Sequence, residues 1–451
     1  MAARPWKRAV LWLVVLATFF YATYGGANWL AAQRTDVGSF VFAWERHIPF
    51  VGWTIIPYWS INAFYGLSLF VCATRSELDV HVRRLLTAQV VAVAFFLVLP
   101  LSFSFDRPEL PGGFAGFLFA ALGAFDKPFN QAPSLHIALL VILWDLYARY
   151  LPRIVRPLLH AWFVLVGISV LTTYQHHFID VPTGALLGFL ALWLWPNESE
   201  SAVAGARLTS DRKRRVLAIR YGVGAAALAA IAMMLGGLWL LLWWPAASLL
   251  LVAASYAALG PAGFQKRPDG SMSLAAYAIL APYLLAAFAN SRLWTRGEAK
   301  ATEVADGVFL GRIPVGRDLA GGPFAAIVDL SAELPHTARF PAYRALPMLD
   351  LVAPSPARLR DAARLIEHAR SAGPVLVCCA LGYSRSAAAI AVWLHVTRRA
   401  GNTEAAIAAI RAVKPAIVLD EGARAAISAA QDDEELSAKS SSHAGGCGGP
   451  A

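Results

Sequence analysis

Apolar stretches of membrane-spanning length recur along the first two thirds of this chain, and they limit its fold more severely than any other feature. Six come in succession, at about residues 9–28, 50–73, 85–105, 134–151, 157–174 and 180–196. Each approaches the ~20 apolar residues that a helix needs to cross a hydrocarbon layer. The chain of 451 residues is 58% hydrophobic and 15% charged. Soluble domains carry about 25% charged residues, so an ordinary soluble enzyme is excluded, as is a disordered chain. The length calls for two or three domains.

The net charge of +10 points first to nucleic acid, but its distribution argues against that. Residues 1–298 hold 23 basic and 14 acidic residues, whereas residues 299–451 hold 16 and 15. The excess lies between the hydrophobic runs. Arg4/Lys7/Arg8, Arg75/Arg83/Arg84, Arg149/Arg153/Arg156 and the block from Arg207 to Arg220 fall on one side. The segments 29–49, 106–133 and 175–180 fall on the other, read as loops whose few bases are matched by acids. By the positive-inside rule this predicts six spans with both ends in the cytoplasm. Fourteen of the fifteen Trp precede residue 298, as expected of rings that collect at membrane interfaces. Nucleic acid is therefore not an expected partner; the membrane is.

A further apolar stretch, Tyr221 to Gly263, is long enough for two helices hinged near Trp244-Pro245, and another runs from Ala275 to Phe288. Three more spans would leave the C-terminus outside and two would leave it inside. The flanks Lys266/Arg267 and Arg292/Arg296/Lys300 are too alike to choose between them. The basic start before the first run has the look of a signal peptide, but no cleavage site follows, so a retained helix is expected. Cys72, Cys378, Cys379 and Cys447 form no CxxC pair. Neither a disulfide framework nor a metal is implied, and no cofactor is expected.

After about Arg296 the texture changes to alternating strands and helices. Phe324–Leu330 and Val375–Val377 read as buried strands. Ser355-Pro356 reads as a helix cap followed by an N1 proline, with Leu359, Ala362, Ile366 and Ala369 on one face. Ser386–His395 and a stretch opening at Gly401-Asn-Thr403 and ending before Lys414-Pro415 read as further helices. The domains expected are 1–200, a six-helix membrane domain; 201–296, additional transmembrane helices and linker; 297–430, a soluble α/β three-layer domain; and 431–451, a disordered acidic and Ser/Gly-rich tail.

The soluble part carries the first chemical constellation. In Val375-Leu-Val-Cys-Cys379-Ala-Leu-Gly-Tyr-Ser-Arg385-Ser386 a cysteine at a strand end is followed by Arg, then Ser, at a helix N-terminus. The intervening Ala380, Leu381, Gly382, Tyr383 and Ser384 can turn their N–H groups inward to cradle a phosphate, aided by the helix dipole. The same field favours the nucleophilic thiolate of Cys379. Arg385 can bind two phosphoryl oxygens, and Ser386 can hydrogen-bond the departing sulfur. This stretch resembles the CX5R signature of the protein tyrosine and dual-specificity phosphatases, over roughly residues 306–430. Asp306–Gly311 looks like that family's first strand and Leu349–Pro356 like its acid loop. The resemblance implies Cys379 as nucleophile, Arg385 as phosphate ligand and Asp350 as general acid. The family's usual His before the nucleophile is here Cys378, and an interaction between Cys378 and Cys379 on oxidation is conceivable, though strained.

The second constellation lies at the outer ends of the spans. Pro133-Ser134-Leu135-His136 starts the fourth, and His176-His177-Phe-Ile-Asp180 joins the fifth to the sixth. An ionisable group at a span end is a functional candidate. If helical, His176 and Asp180 would share a face, the carboxylate orienting the imidazole, while His136 could protonate a leaving alcohol. These residues resemble the second and third motifs of the type 2 phosphatidic acid phosphatases over about residues 45–196. The Pro-Ser-Leu-His form is more like the inositolphosphorylceramide synthase branch, which transfers head groups between lipid alcohols. The resemblance implies His176 as nucleophile, His136 as acid and Asp180 as orienting carboxylate. Val170 stands after Ser169 where that family has Arg, so Arg107 or Lys127 would have to supply the missing phosphate ligand.

Together these features imply a bacterial-type inner-membrane phosphatase acting on a phospholipid or lipid phosphate, with its soluble domain in the reducing cytoplasm. The alternatives are a membrane-anchored phosphatase acting on a phosphoprotein, and a head-group transferase with a regulatory soluble domain.

Overall fold

The structure, a computed structural model, describes residues 4–108, 112–197, 200–336 and 340–431. The tail expected to be disordered, from 432 onward, and Cys447 within it, lie outside the described residues. The chain divides into two compact units, Met1–Gly205 with Val223–Leu249, and Ala206–Gly222 with Leu250–Ala451. The division thus falls elsewhere than the change of texture near residue 296.

The first unit is helical. Its helices are α1 (Trp6–Ala32), α2 (Ile55–Val71), α3 (Arg75–Val98), α4 (Gly113–Phe125), α5 (Leu135–Tyr150), α6 (Arg156–Thr172) and α7 (Asp180–Leu194). Two of these differ from expectation. Helix α3 begins ten residues before the apolar run, because Thr74 caps it by accepting the Glu77 N–H at 3.1 Å. Its buried cation, Arg84, is paired: it donates to Asp145 at 3.1 Å and to the Trp195 carbonyl at 2.8 Å. Helix α4 occupies part of the segment read as a loop; thirteen residues of Gly, Ala, Leu and Phe are too few to span and so escaped a length criterion.

Leu16, Leu78, Leu85 and Leu146 of α1, α3 and α5 share one core with Leu187 of α7. Ile55, Phe119, Leu143 and Phe163 of α2, α4, α5 and α6 share another. Between α5 and α7 the backbones nearly touch. A Cβ at Gly184 would meet the Ser134 carbonyl at 2.5 Å, and one at Gly188 would meet Val141 at 2.7 Å. This small-xxx-small spacing is the usual device for close helix approach in lipid.

Three more helices follow: α8 (Arg212–Leu235), α9 (Trp243–Ala254) and α10 (Leu274–Trp294). The break between α8 and the next helical stretch falls at Gly236-Gly237, whose φ angles are 60° and 51°, and not at Trp244-Pro245. Pro245 sits in the first turn of α9, where an N–H lacks an intrahelical partner anyway. Helical turns carry α9 on to Phe264. Among the described residues, five helical stretches are long and apolar enough to cross a membrane: Trp6–Ala32, Arg75–Val98, Arg212–Leu235, Gly237–Phe264 and Leu274–Trp294.

The second unit is built on a mixed sheet of five strands, β1 (Ala301–Ala305), β2 (Val308–Arg312), β3 (Ala326–Ser331), β4 (Tyr343–Met348) and β5 (Val375–Cys379), in the order β1-β2-β5-β3-β4. Only β1 runs antiparallel to its neighbour; β2, β5, β3 and β4 are parallel. Central β5 is buried throughout, as a continuous apolar run in a parallel sheet should be. A single turn, α11 (Gly316–Leu319), precedes β3. Helices α12 (Pro356–Arg370), α13 (Arg385–Val396) and α14 (Thr403–Val413), with residues 421–431, supply the main core together with Val377, Val328 and Leu310. Ser355 caps α12 by accepting the Arg358 N–H, with Pro356 at N1. Tyr343, Leu376, Cys378 and Ile327 form a smaller core on the other face.

Candidate functional site

In a parallel sheet the carboxyl ends of the strands are where side chains and loops converge. Three of them do so here: β5 ends at Cys379, β3 leads into Glu333, and β4 leads into Asp350. Cys379 Sγ receives the Gly382 N–H and the Ser386 hydroxyl, both at 3.3 Å. Arg385, at the start of α13, is only 1% exposed. Its Nη1 donates to Glu333 Oε2 at 2.7 Å and to the Met348 carbonyl at 2.9 Å, and its Nη2 to Glu333 Oε1 at 2.5 Å. Asp350 Oδ1 lies 3.0 Å from Nη2. Burial alone would favour the neutral guanidine, but Asp350 and Glu333 hold it firmly charged. The remaining donor, Arg385 Nε, is buried without a partner.

The loop residues differ in their freedom. Ala380 gives its carbonyl to the Ser291 hydroxyl at 2.5 Å. Leu381 packs with Ile313 and Leu334. Tyr383 turns its hydroxyl to Glu298, at 2.7 Å, and to the Trp294 carbonyl, at 3.1 Å, while Lys414 lies over its ring. Hydrogen bonding to Glu298 adds to burial and pushes the Tyr383 phenol up to about 12. Ser384 is the N-cap residue of α13, without a side-chain capping bond.

Cys378 and Cys379 face opposite sides of the sheet, as successive strand residues must. That alternation turns the two thiols away from each other and works against the interaction that their adjacency made conceivable. Burial, then the Asp329 carboxylate, pushes the Cys378 thiol far up. Asp329 itself accepts from Tyr343, at 2.5 Å, and from the buried Lys266 ammonium. Lys266 also reaches the Ser331 carbonyl at 2.8 Å, fixing the start of the loop that carries Glu333. Neither Glu333 nor Lys266 was marked by any motif. The usable signal for Glu333 was its place just beyond the end of a buried strand.

In the helical unit, His176 Nδ1 lies 3.1 Å from Asp180 Oδ2, and its Nε2 lies 3.0 Å from Ser134 Oγ. The contact with Asp180 is not made along one helix. His176 belongs to the turn before α7, and Asp180 opens that helix, where a carboxylate suits the dipole. His136, on α5, stacks on Tyr58 with ring centroids 4.2 Å apart, and its Nε2 is buried without a partner. His177 has partners of its own: Nδ1 pairs with Glu45 Oε2 at 2.9 Å and Nε2 accepts the Ser104 N–H at 3.1 Å. His81 is buried against the Ser68 hydroxyl at 2.8 Å.

A cavity of about 350 Å³ is lined by His176, Arg107, Lys127, Gln131 and Tyr24 among others. Both cations named as substitutes for the missing arginine therefore border the same space as His176. His136 does not line it. Asp126, also on its wall, accepts from Tyr24 at 2.9 Å and from Asn28 at 3.3 Å.

No family model and no curated protein matches this chain. Among solved structures it is similar to the active form of Tk-PTP, with 26% identity over 30% of this chain and 97% of that one, at a TM-score of 0.28. It is similar to human DUSP28, with 23% identity over 30% and 96%, at 0.28. It is also similar to PTPMT1 in complex with PI(5)P, with 16% identity over 31% and 99%, at 0.26. Similarity to solved tyrosine and dual-specificity phosphatases thus covers about 30% of the chain.

Proposed function

We propose that this chain is a membrane phosphatase that hydrolyses phosphomonoesters, lipid phosphates foremost, through a cysteinyl-phosphate intermediate at Cys379. The observation that carries this reading is the unpartnered Arg385 Nε at the end of the Cys379 loop, a buried donor on a charged group, which a phosphoryl oxygen bound in the loop would satisfy. Glu333 holds the far edge of the guanidinium, leaving Nε to a phosphoryl oxygen.

In the first step the Cys379 thiolate attacks phosphorus. A P–S bond forms as the P–O bond to the leaving group breaks, and Asp350, once it has exchanged its ion pair with Arg385 for a proton, protonates the departing oxygen. Loop N–H groups and Arg385 carry the charge that builds on the other oxygens. In the second step water attacks phosphorus and loses its proton to Asp350. The P–S bond breaks, the Ser386 hydroxyl hydrogen-bonds the thiolate, and inorganic phosphate leaves. No lysine stands among Ala380–Ser384, so a multiply phosphorylated inositol is disfavoured as substrate.

The five long apolar helices among the described residues support a membrane location, the basic linkers support an N-terminus in the cytoplasm, and the need of a thiolate nucleophile for reducing conditions favours a cytoplasmic phosphatase domain. A second site, with His176 as nucleophile, Asp180 orienting it and His136 as acid, is favoured by the cavity that gathers Arg107, Lys127 and His176. It would hydrolyse or transfer a phosphorylated head group.

Purified Cys379→Ser, His176→Ala and the double variant separate these readings, with phosphate release measured from phosphatidic acid, phosphatidylglycerophosphate and a phosphotyrosyl peptide. Loss of lipid phosphatase activity in Cys379→Ser is expected. Undiminished release from all three substrates would end the cysteine reading, and activity confined to the peptide would make the protein a signalling phosphatase. No change with any lipid in His176→Ala would make the helical unit an anchor.

A further inference from the structure

Helix α10 is 21 residues long, about 31 Å at the helical rise, and matches the thickness of a bilayer core. By length and composition it is a span. Its contacts say otherwise. Just before its N-terminal end, the Pro268 carbonyl accepts the Ala345 N–H at 2.8 Å and the Gly270 carbonyl accepts the His336 N–H at 2.9 Å. Lys266, in the same segment, pairs with Asp329. At its C-terminal end, Ser291 donates to the Ala380 carbonyl at 2.5 Å and Arg292 to the Ile313 carbonyl at 2.7 Å. Between these points Ala287 and Phe288 pack on Ile313, Leu334 and Ala380.

Both ends of α10 are therefore fastened to one domain of strands and loops. A helix crossing a bilayer has ~30 Å of hydrocarbon between its ends, and backbone-rich loops cannot follow it through. Yet α10 also presents an apolar face outward. Leu274, Tyr277 and Leu285, at helical spacing, are 64%, 52% and 72% exposed, and Leu293 and Trp294 at the end are 69% and 68% exposed. A soluble domain would not leave such a stripe in water. The stretches Arg212–Leu235 and Gly237–Phe264, long and apolar enough to cross a membrane, immediately precede it in the chain and keep it close to the bilayer.

We infer that α10 does not cross the membrane but lies in its surface, its outer face in the lipid headgroup region and its inner face bracing the Cys379 loop. This rests on the reading of the chain as a membrane protein. It resolves the parity left open by the flanking charges. With the six spans expected of residues 1–200, only α8 and the stretch from Gly237 to Phe264 cross thereafter, and the phosphatase domain then lies on the side of the N-terminus and the basic linkers. The Ser291 and Trp294 contacts then hold the phosphate-binding loop at the height of lipid head groups, which favours a phosphorylated lipid still embedded in the bilayer as substrate.

The test uses the full chain in sealed vesicles of phosphatidylethanolamine and phosphatidylglycerol. Asp269→Cys and Arg296→Cys, beyond the two ends of α10, are labelled with a membrane-impermeant maleimide, the labelling of the unsubstituted chain being subtracted. Both positions should label from one face, the face that exposes the N-terminus. Labelling from opposite faces overturns the inference and leaves the membrane reading standing. Release of the protein by alkaline carbonate would overturn both. A spin label on Leu285→Cys gives a second readout by power saturation: a depth of about 5–10 Å is expected for a surface helix. A depth near the bilayer centre, about 15 Å, or exposure to water alone, would also overturn it.

Discussion

Arg385 is the residue on which the soluble site turns, and the partner that keeps it usable is Glu333. The guanidinium is fully buried, so its charge must be matched inside the protein. Glu333 does this with two hydrogen bonds and also sets the plane of the fork. Glu333→Gln should lower kcat with an aryl phosphate by about tenfold to a hundredfold, the usual cost of losing a group that orients a ligand. Unfolding monitored by circular dichroism should show a loss approaching the ~3–5 kcal/mol of a broken buried pair. Unchanged kinetics would mean that Arg385 is oriented by Met348 and Asp350 alone. The motif in the sequence named Cys379, Arg385 and Ser386 because they are neighbours on one loop. It was silent on Glu333 because that contact spans 52 residues and depends on β3 lying beside β5.

Among the elements, the pairing of α5 with α7 decides whether the helical unit has a site at all. Ser134 caps α5 and also reaches His176 Nε2, while Asp180 opens α7 and holds Nδ1. Both contacts require the backbones to approach as closely as Gly184 and Gly188 allow. Gly188→Leu would drive four carbons into Val141 and the Ala138 carbonyl, costing at least the ~1–3 kcal/mol of overpacking. The helices should separate, and any His176-dependent lipid activity should fall with them, while Cys379-dependent hydrolysis of an aryl phosphate stays near the wild-type rate. Equal loss of both activities would show instead that the variant is misfolded throughout. The Gly-xxx-Gly spacing was readable from the sequence; its importance was not, because many glycines in apolar helices meet nothing, as Gly222 does.

For the molecule as a whole, the charged groups of the phosphatase unit predict its pH window. Burial alone would raise the Asp318 carboxyl, but the Lys300 ammonium at 3.0 Å, the Val315 N–H and Arg312 outweigh it and hold it below the ordinary value of 3.8. A carboxyl depressed on folding contributes stability above its unfolded value, and that stability is lost as pH falls through the lower folded one. Cys378 has the opposite sign. Its thiol is raised well above the ordinary 9.0, so its contribution is complete below that value and drains away as pH rises beyond it. Melting temperatures of the full chain in detergent should therefore fall on both sides of neutrality. Asp318→Asn should flatten the acid limb, and Cys378→Ala the alkaline limb. If neither limb changes, other groups set the window.

What the amino-acid sequence determined by itself is whatever depends on neighbours along the chain: the apolar runs, the Ser355 cap, the CX5R loop, and the two histidine motifs with their spacing. Hydropathy and local hydrogen bonding act over a few residues, so they can be read without a fold. The tertiary structure alone decided which distant groups meet. It set Glu333 against Arg385, Arg107 and Lys127 around the cavity of His176, and Cys378 away from Cys379. It also decided what α10 is, because a helix of 21 apolar residues satisfies its own backbone equally well across a bilayer or along its surface. Only the fastening of both its ends to the same domain distinguishes the two.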